Sequence, residues 1–241
     1  MEKNLINIRD LKVKYDQYTV LNDINISIPP EKITIVLGGS GCGKTTLLKS
    51  MLKLQPISRG SIDIFQKNIN EPGFDEELKK IGMVFQNGAL LNSLTVAENI
   101  KIPLKQHTNL PEEIIDRIII SKLKLVNLEN AGDLLPAELS GGMKKRAAVA
   151  RAIALDPVLL FCDEPSAGLD PITSATLDNL LINLKNQLGM TMVIVTHELS
   201  SVRRIADHII FLHEGQVLFQ GTYSEIKETD NDQIQKFFRS N

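Results

Sequence analysis

The chain has 241 residues, 43% of them apolar, enough for one large domain or for a core with an added lobe. Lys and Arg number 27 against 29 Asp and Glu, a net charge of −2 that leaves no electrostatic footprint for nucleic acid. No apolar run reaches the ~18 residues of a membrane span, MEKNLINIRDLKVKY lacks the apolar centre of a secretory signal, and two cysteines, Cys42 and Cys162, suit a reducing compartment rather than a disulfide framework.

Residues 5–30 alternate apolar and polar side chains (Leu5, Ile6, Ile8, Leu11 and Val13, then Val20 to Ile28). That is the period of strands, with turns near Asp16 and at Pro29-Pro30. Ile33 to Leu37 has no polar face and predicts a buried parallel strand. A glycine-rich loop follows, then a helix from Lys44 to Leu54. Gln66 to Glu77 is polar and is expected to be an exposed loop. Ile81 to Phe85 reads as a strand. Residues 88–138 change character and predict a helical lobe inserted into an α/β core. Thr95-Val96-Ala97-Glu98 is a capping box, and Pro111 to Val126 carries Ile114, Ile115, Ile118, Ile119 and Leu123 at helical spacing. An alanine-rich helix after Met143 ends at Asp156-Pro157. Val158 to Phe161 and Met192 to Thr196 read as buried strands. His208 to Gly221 predicts a hairpin turning at Glu214-Gly215. Thr222 to Glu225 is a second capping box opening a C-terminal helix, and the polar last dozen residues are expected to be partly loose.

Gly38-Gly39-Ser40-Gly41-Cys42-Gly43-Lys44-Thr45 has the form GxxxxGK[ST] in the strand–loop–helix setting a phosphate-binding loop requires. Glycines 38, 41 and 43 let successive N–H groups turn toward β- and γ-phosphates, and the helix adds its positive end. Lys44 supplies a point charge, and the Thr45 hydroxyl can coordinate Mg²⁺. Cys42 reads as a small residue tolerated in the loop; the helix N-terminus would stabilise its thiolate. Asp163 and Glu164 emerge at the carboxyl end of an apolar strand, where open α/β sheets bind ligands. Asp163 is the expected Mg²⁺ partner and Glu164 the expected general base. Ser140-Gly141-Gly142 can cap the helix that follows and leave N–H groups and a hydroxyl facing outward.

The phosphate loop together with Leu139-Ser140-Gly141-Gly142-Met143 resembles the ATPase subunit of an ABC transporter, with Met143 where that family most often has Gln. The resemblance covers essentially the whole chain. It implies one cassette over 1–241: a RecA-like P-loop NTPase core, an N-terminal antiparallel β subdomain, an inserted helical subdomain at about 88–138, and a C-terminal helix and tail at about 222–241. It further implies ATP contact by Gly38 through Thr46, Thr46 included, and Tyr15 against the adenine. Gln86 would touch Mg²⁺ and sense the γ-phosphate, and His197 would contact that phosphate. Ser140, Gly141, Gly142 and Asp170 would serve the site of a second copy. Integral-membrane permease subunits are implied as partners, docking near Ala89-Leu90-Leu91 and Leu94.

Residues 139–171, Phe85 to Leu90, Ile205 to His208 and Phe211 to Gly215 look like the cassettes of lipid transporters of the Mla type, which work with mammalian-cell-entry (MCE) domain proteins. That branch implies a periplasmic MCE-domain partner, a small cytoplasmic accessory subunit and a peripheral place on the cytoplasmic face of the inner membrane. A small-solute importer subunit and a P-loop regulator or kinase without a membrane partner remain as alternatives.

Overall fold

The computed structural model describes residues 4–240. In chain order the elements are β1 (Ile6–Tyr15), β2 (Tyr18–Ile28), β3 (Ile33–Leu37), α1 (Lys44–Met51), β4 (Arg59–Ile64), β5 (Lys67–Asn68), α2 (Asp75–Leu78) and β6 (Ile81–Val84). They continue with α3 (Val96–His107), α4 (Glu112–Leu125), α5 (Gly141–Ala152), β7 (Leu159–Asp163), α6 (Pro171–Leu188), β8 (Thr191–Thr196) and α7 (Leu199–Ile205). The chain closes with β9 (His208–His213), β10 (Gln216–Gly221), α8 (Tyr223–Lys227) and α9 (Asp232–Ser240). The elements gather into two units, 4–78 with 191–240 and 79–190.

In the first unit an antiparallel sheet runs β2-β1-β4-β5. Its buried set on β1, Ile6, Ile8, Leu11 and Val13, slips out of period two between Ile8 and Leu11. A register shift at that point, with Asp10 at φ 47°, absorbs the extra residue and keeps both sides on the core face. β3 is buried at every position because it lies between β8 and β9, parallel to both. β10 returns antiparallel along β9 through Glu214 and Gly215, both at positive φ, as the hairpin reading expects. α1 stops at Met51, short of Leu54, because Lys53 turns to φ 58°. Gln66 to Glu77 is not a plain exposed loop: it carries β5 and part of α2, and it buries Ile69 and Phe74. Lys53 lies over the Phe74 ring and binds Asp75 at 2.8 Å. Asp232 to Ser240 form α9 rather than a loose tail. Ile234 is buried there, and Phe237 meets Phe211 of β9 edge-on, with centroids 5.3 Å apart.

In the second unit β6 and β7 pair in parallel, Ile81 opposite Leu159 through Val84 opposite Cys162. Val158 and Phe85 fall outside these strands and are exposed. Thr95 and Glu98 form the expected reciprocal cap of α3. On α4, Ile115, Ile119 and Leu123 are buried, whereas Ile114 is exposed and Ile118 half-buried. α5 begins at Gly141, two residues ahead of Met143, and ends at Ala152, before the predicted Asp156-Pro157 stop. It packs on both α3 and α4 and against β6. A Cβ at Gly82 of β6 would meet the Ala152 carbonyl at 2.4 Å, so only glycine permits that approach.

Candidate functional site

The first unit holds the phosphate loop. Gly38 leaves β3 so close to β9 that a Cβ there would meet the Leu212 carbonyl oxygen at 2.2 Å. Gly43, at φ 107°, is the N-cap of α1 and supplies no side-chain cap, so the first N–H groups of the helix stay open to an anion. Lys44 is 8% exposed and folds back over the loop, donating to the carbonyls of Gly38 at 2.8 Å and Gly39 at 2.9 Å. Gly39 and Gly41 face open space where a Cβ would stand. Thr45 is exposed and Thr46 half-buried on the first turn of α1. A cavity of about 470 Å³ borders Gly39, Ser40, Gly41 and Cys42, within the usual size of a ligand pocket. Tyr18 also borders it, and Tyr15, the expected adenine contact, stands opposite Tyr18 in the β1–β2 register and is 43% exposed. His213, Glu214 and Gly215 close another side, and the Gly215 N–H donates to the Cys42 carbonyl. Burial pushes the Cys42 thiol up against the opposing pull of Lys44, so the stabilised thiolate expected from the helix end does not form. His197 follows β8 and is exposed.

The second unit holds the carboxylates and the signature turn. Asp163 is the last residue of β7. Glu164, one step on, is 9% exposed and sits at φ 47°, a region non-glycine residues seldom occupy. Cys162 beneath them is pushed up to about 12, by burial first and Asp163 second. Gln86 lies two residues past β6 and is exposed. Ser140 is the N-cap of α5 and accepts from the Met143 N–H at 3.3 Å, leaving its exposed face outward. Gly142 lies so close to α6 that a Cβ would meet Thr173 at 2.5 Å. Asp170 caps α6, accepting from the N–H groups of Ile172 and Thr173, each at 3.0 Å. The Thr173 hydroxyl first, and then these N–H groups, hold its carboxyl below the usual range. Leu91 is half exposed and Leu90 and Leu94 are half-buried, as part of a loop after Gln86. Lys145, on α5, is a residue that sequence reasoning missed: its ammonium binds the backbone carbonyls of both Gln86 and Glu164.

The uncapped helix start and open loop fit a phosphate chain. The Thr45 hydroxyl and Asp163 carboxylate are hard oxygen donors, the kind Mg²⁺ takes when phosphates and water complete its shell.

Residues 21–167 match the ABC transporter family. The chain is 36% identical to the intermembrane phospholipid transport system ATP-binding protein MlaF of Haemophilus influenzae, over 99% of its own length and 92% of that protein's. It is 38% identical to the methionine import ATP-binding protein MetN of Lactobacillus johnsonii, over 92% of its own length and 65% of that protein's. Among solved structures, the ATP-binding cassette MJ0796, a dimer in a post-hydrolysis state bound to ADP and Pi, matches with a TM-score of 0.81. The identity there is 29%, over 90% of this chain and 98% of that one. An antiparallel β sheet, a phosphate loop between β3 and α1, and a carboxylate-bearing β7 give the α/β P-loop fold expected from the sequence. With that architecture, and with relatives matched over nearly its full length, this chain belongs to the ABC transporter family as an ATP-hydrolysing cassette.

Proposed function

We propose that this cassette hydrolyses Mg-ATP to drive phospholipid transport between inner and outer membranes, as a pair of copies seated under integral-membrane permease subunits. The observation that carries the cargo is the end-to-end likeness to MlaF, 99% of this chain against 92% of that protein. The small-solute reading draws on a slightly higher identity to MetN, but about a third of MetN lies beyond the match.

In this reading Lys44 and the N–H groups from Gly38 to Thr46 bind the phosphates, and Tyr15 stacks on the adenine. Thr45, Asp163 and Gln86 would hold Mg²⁺, which when bound offsets the negative charge of the phosphates. Glu164 takes the proton of the attacking water, and its burial keeps competing solvent away from the carboxylate. His197 holds the γ-phosphate. Ser140, Gly141 and Gly142 of one copy serve the γ-phosphate held by the other, with Asp170 at their junction. The lipid-transport reading adds an MCE-domain periplasmic protein and a small cytoplasmic accessory subunit as partners. The cassette then lies peripherally on the cytoplasmic face of the inner membrane.

Affinity purification of the tagged cassette from detergent-solubilised membranes tests this. Recovery of a permease with an MCE-domain protein is the expected result. Recovery of a permease with a solute-binding protein establishes the importer instead.

A further inference from the structure

We propose that Lys145 is a positioning residue for ATP hydrolysis: it ties the helix opened by the signature turn to the backbone of both Gln86 and Glu164. The inference rests on the proposed roles of those two residues and of Ser140. Lys145 stands one and a half turns into α5, counted from the Ser140 cap, and is 9% exposed. Its Nζ donates to the Gln86 carbonyl at 2.5 Å and to the Glu164 carbonyl at 3.4 Å. Burying an ammonium costs free energy unless several oxygens surround it, and Lys alone offers three donors at one point with no acceptor of its own. Both carbonyls therefore help to hold the charge where it is.

Glu164 gives the tie its consequence. Its backbone occupies φ 47°, a conformation that persists only where neighbours hold it. The Lys145 contact acts on the carbonyl of that same residue and so on the direction of its carboxylate. Farther along α5, Arg151 donates to the carbonyls of Gly88 at 2.9 Å and Ala89 at 2.6 Å, both at positive φ. The backbone from Gln86 to Ala89 is thus fastened to α5 by two cations, and Lys145 alone of the two also holds Glu164. A shift of α5 on engagement of Ser140 by a second copy would pass through one ammonium to the nucleotide-sensing glutamine and to the base. A lysine that merely fills a buried site would set stability and leave the turnover step alone.

The experiment compares Lys145→Met, which keeps the stem and removes every donor, with Lys145→Gln, which keeps N–H donors on a shorter stem. Steady-state hydrolysis, equilibrium Mg-ATP binding and Tm are measured on the full chain, beside Glu164→Gln. Lys145→Met is expected to lower kcat about 10- to 100-fold, the worth of a charge-assisted hydrogen bond. KM and the ATP dissociation constant should stay within about threefold, since no phosphate contact is removed. Lys145→Gln should recover most of that loss and settle about threefold below wild type, because its amide donates without the charge. Unchanged kcat in Lys145→Met, or a Lys145→Gln chain as impaired as the Met chain, overturns the proposal. If the Met chain does not fold, Lys145→Gln decides: kcat lowered about threefold at intact ATP affinity upholds it, and wild-type kcat overturns it. An active Glu164→Gln would instead refute the assignment of the base, whatever Lys145 does. An inactive Glu164→Gln beside a fully active Lys145→Met would sink the positioning role alone.

Discussion

At the scale of single residues, binding and turnover separate, because the lysine and the proposed base sit on different elements. Lys44 is on the first turn of α1, already folded onto the loop carbonyls it would leave for a phosphate. Glu164 follows β7 and has no part in the phosphate loop. Glu164→Gln should therefore bind ATP normally and lose about 10²- to 10⁴-fold in kcat, because the amide keeps the shape and cannot take a proton. Lys44→Ala should weaken ATP binding as well, since it removes the charge that meets the phosphates. Equilibrium binding of a fluorescent ATP analogue to both variants checks this, and equal, intact affinity would contradict the role given to Lys44. A third residue offers a pH test. The Asp170 carboxyl is held below its ordinary 3.8 by the Thr173 hydroxyl first, with the Thr173 and Ile172 N–H groups adding to it. A folded value below the unfolded one adds stability that is complete above pH 3.8 and fades as pH falls through the folded value. Asp170→Ala should thus melt below wild type at pH 7, with the gap narrowing below about pH 4 as the wild-type carboxylate protonates. A gap independent of pH would show that the cap acts through shape alone.

At the scale of elements, one buried side chain fixes the loop between Gln86 and α3. The Asn99 amide donates to the carbonyls of Leu91, Leu94 and Thr95, and its oxygen accepts from the Leu91 N–H. It is wholly buried, so its loss strips several backbone groups of a partner at once. Asn99→Ala should cost about 2–4 kcal/mol, or on the order of 5–10 °C in Tm for a chain of this size, while ATP binding persists. A Tm within a degree of wild type would show that the loop re-satisfies itself. Elements with a long apolar period or a capping box were legible in the sequence: β3, α3, α4 and the β9–β10 hairpin all lie where their patterns put them. α9 was hidden because Ile234, Phe237 and Phe238, though at helical spacing, sit in a polar stretch, and the two phenylalanines find their partners on Phe211 and Tyr223. Phe74 was hidden the same way, as one anchor in a polar segment. In the site, glycines and carboxylates announced themselves through motifs. Lys145 did not, since a lysine on a helix reads as solvent-facing until the carbonyls that bury it are seen.

At the scale of the whole molecule, one phosphate loop and one signature turn per chain mean that a pair of copies carries two of each. The structural relative in a dimeric state with ADP and Pi fits that arrangement. If each ATP lies between the loop of one copy and the signature turn of the other, defects must combine by site rather than by chain. Ser140→Arg places a bulky cation where a hydroxyl caps α5, so it should leave ATP bound at the chain's own loop and block closure. Lys44→Ala spoils the loop and leaves the signature turn intact. In a mixed pair one site then loses both its lysine and its serine, and the other keeps both. Each variant alone spoils both sites of its pair. Mixing the two chains within the transporter should therefore raise hydrolysis above either variant alone. The ceiling is half the wild-type rate for the mixed pairs, or about a quarter overall if chains assort at random and the intact site works on its own. Titrating one variant into the other should give a maximum at equal proportions. Normal hydrolysis by the Ser140→Arg chain within its transporter would mean that Ser140 is only the cap of its helix.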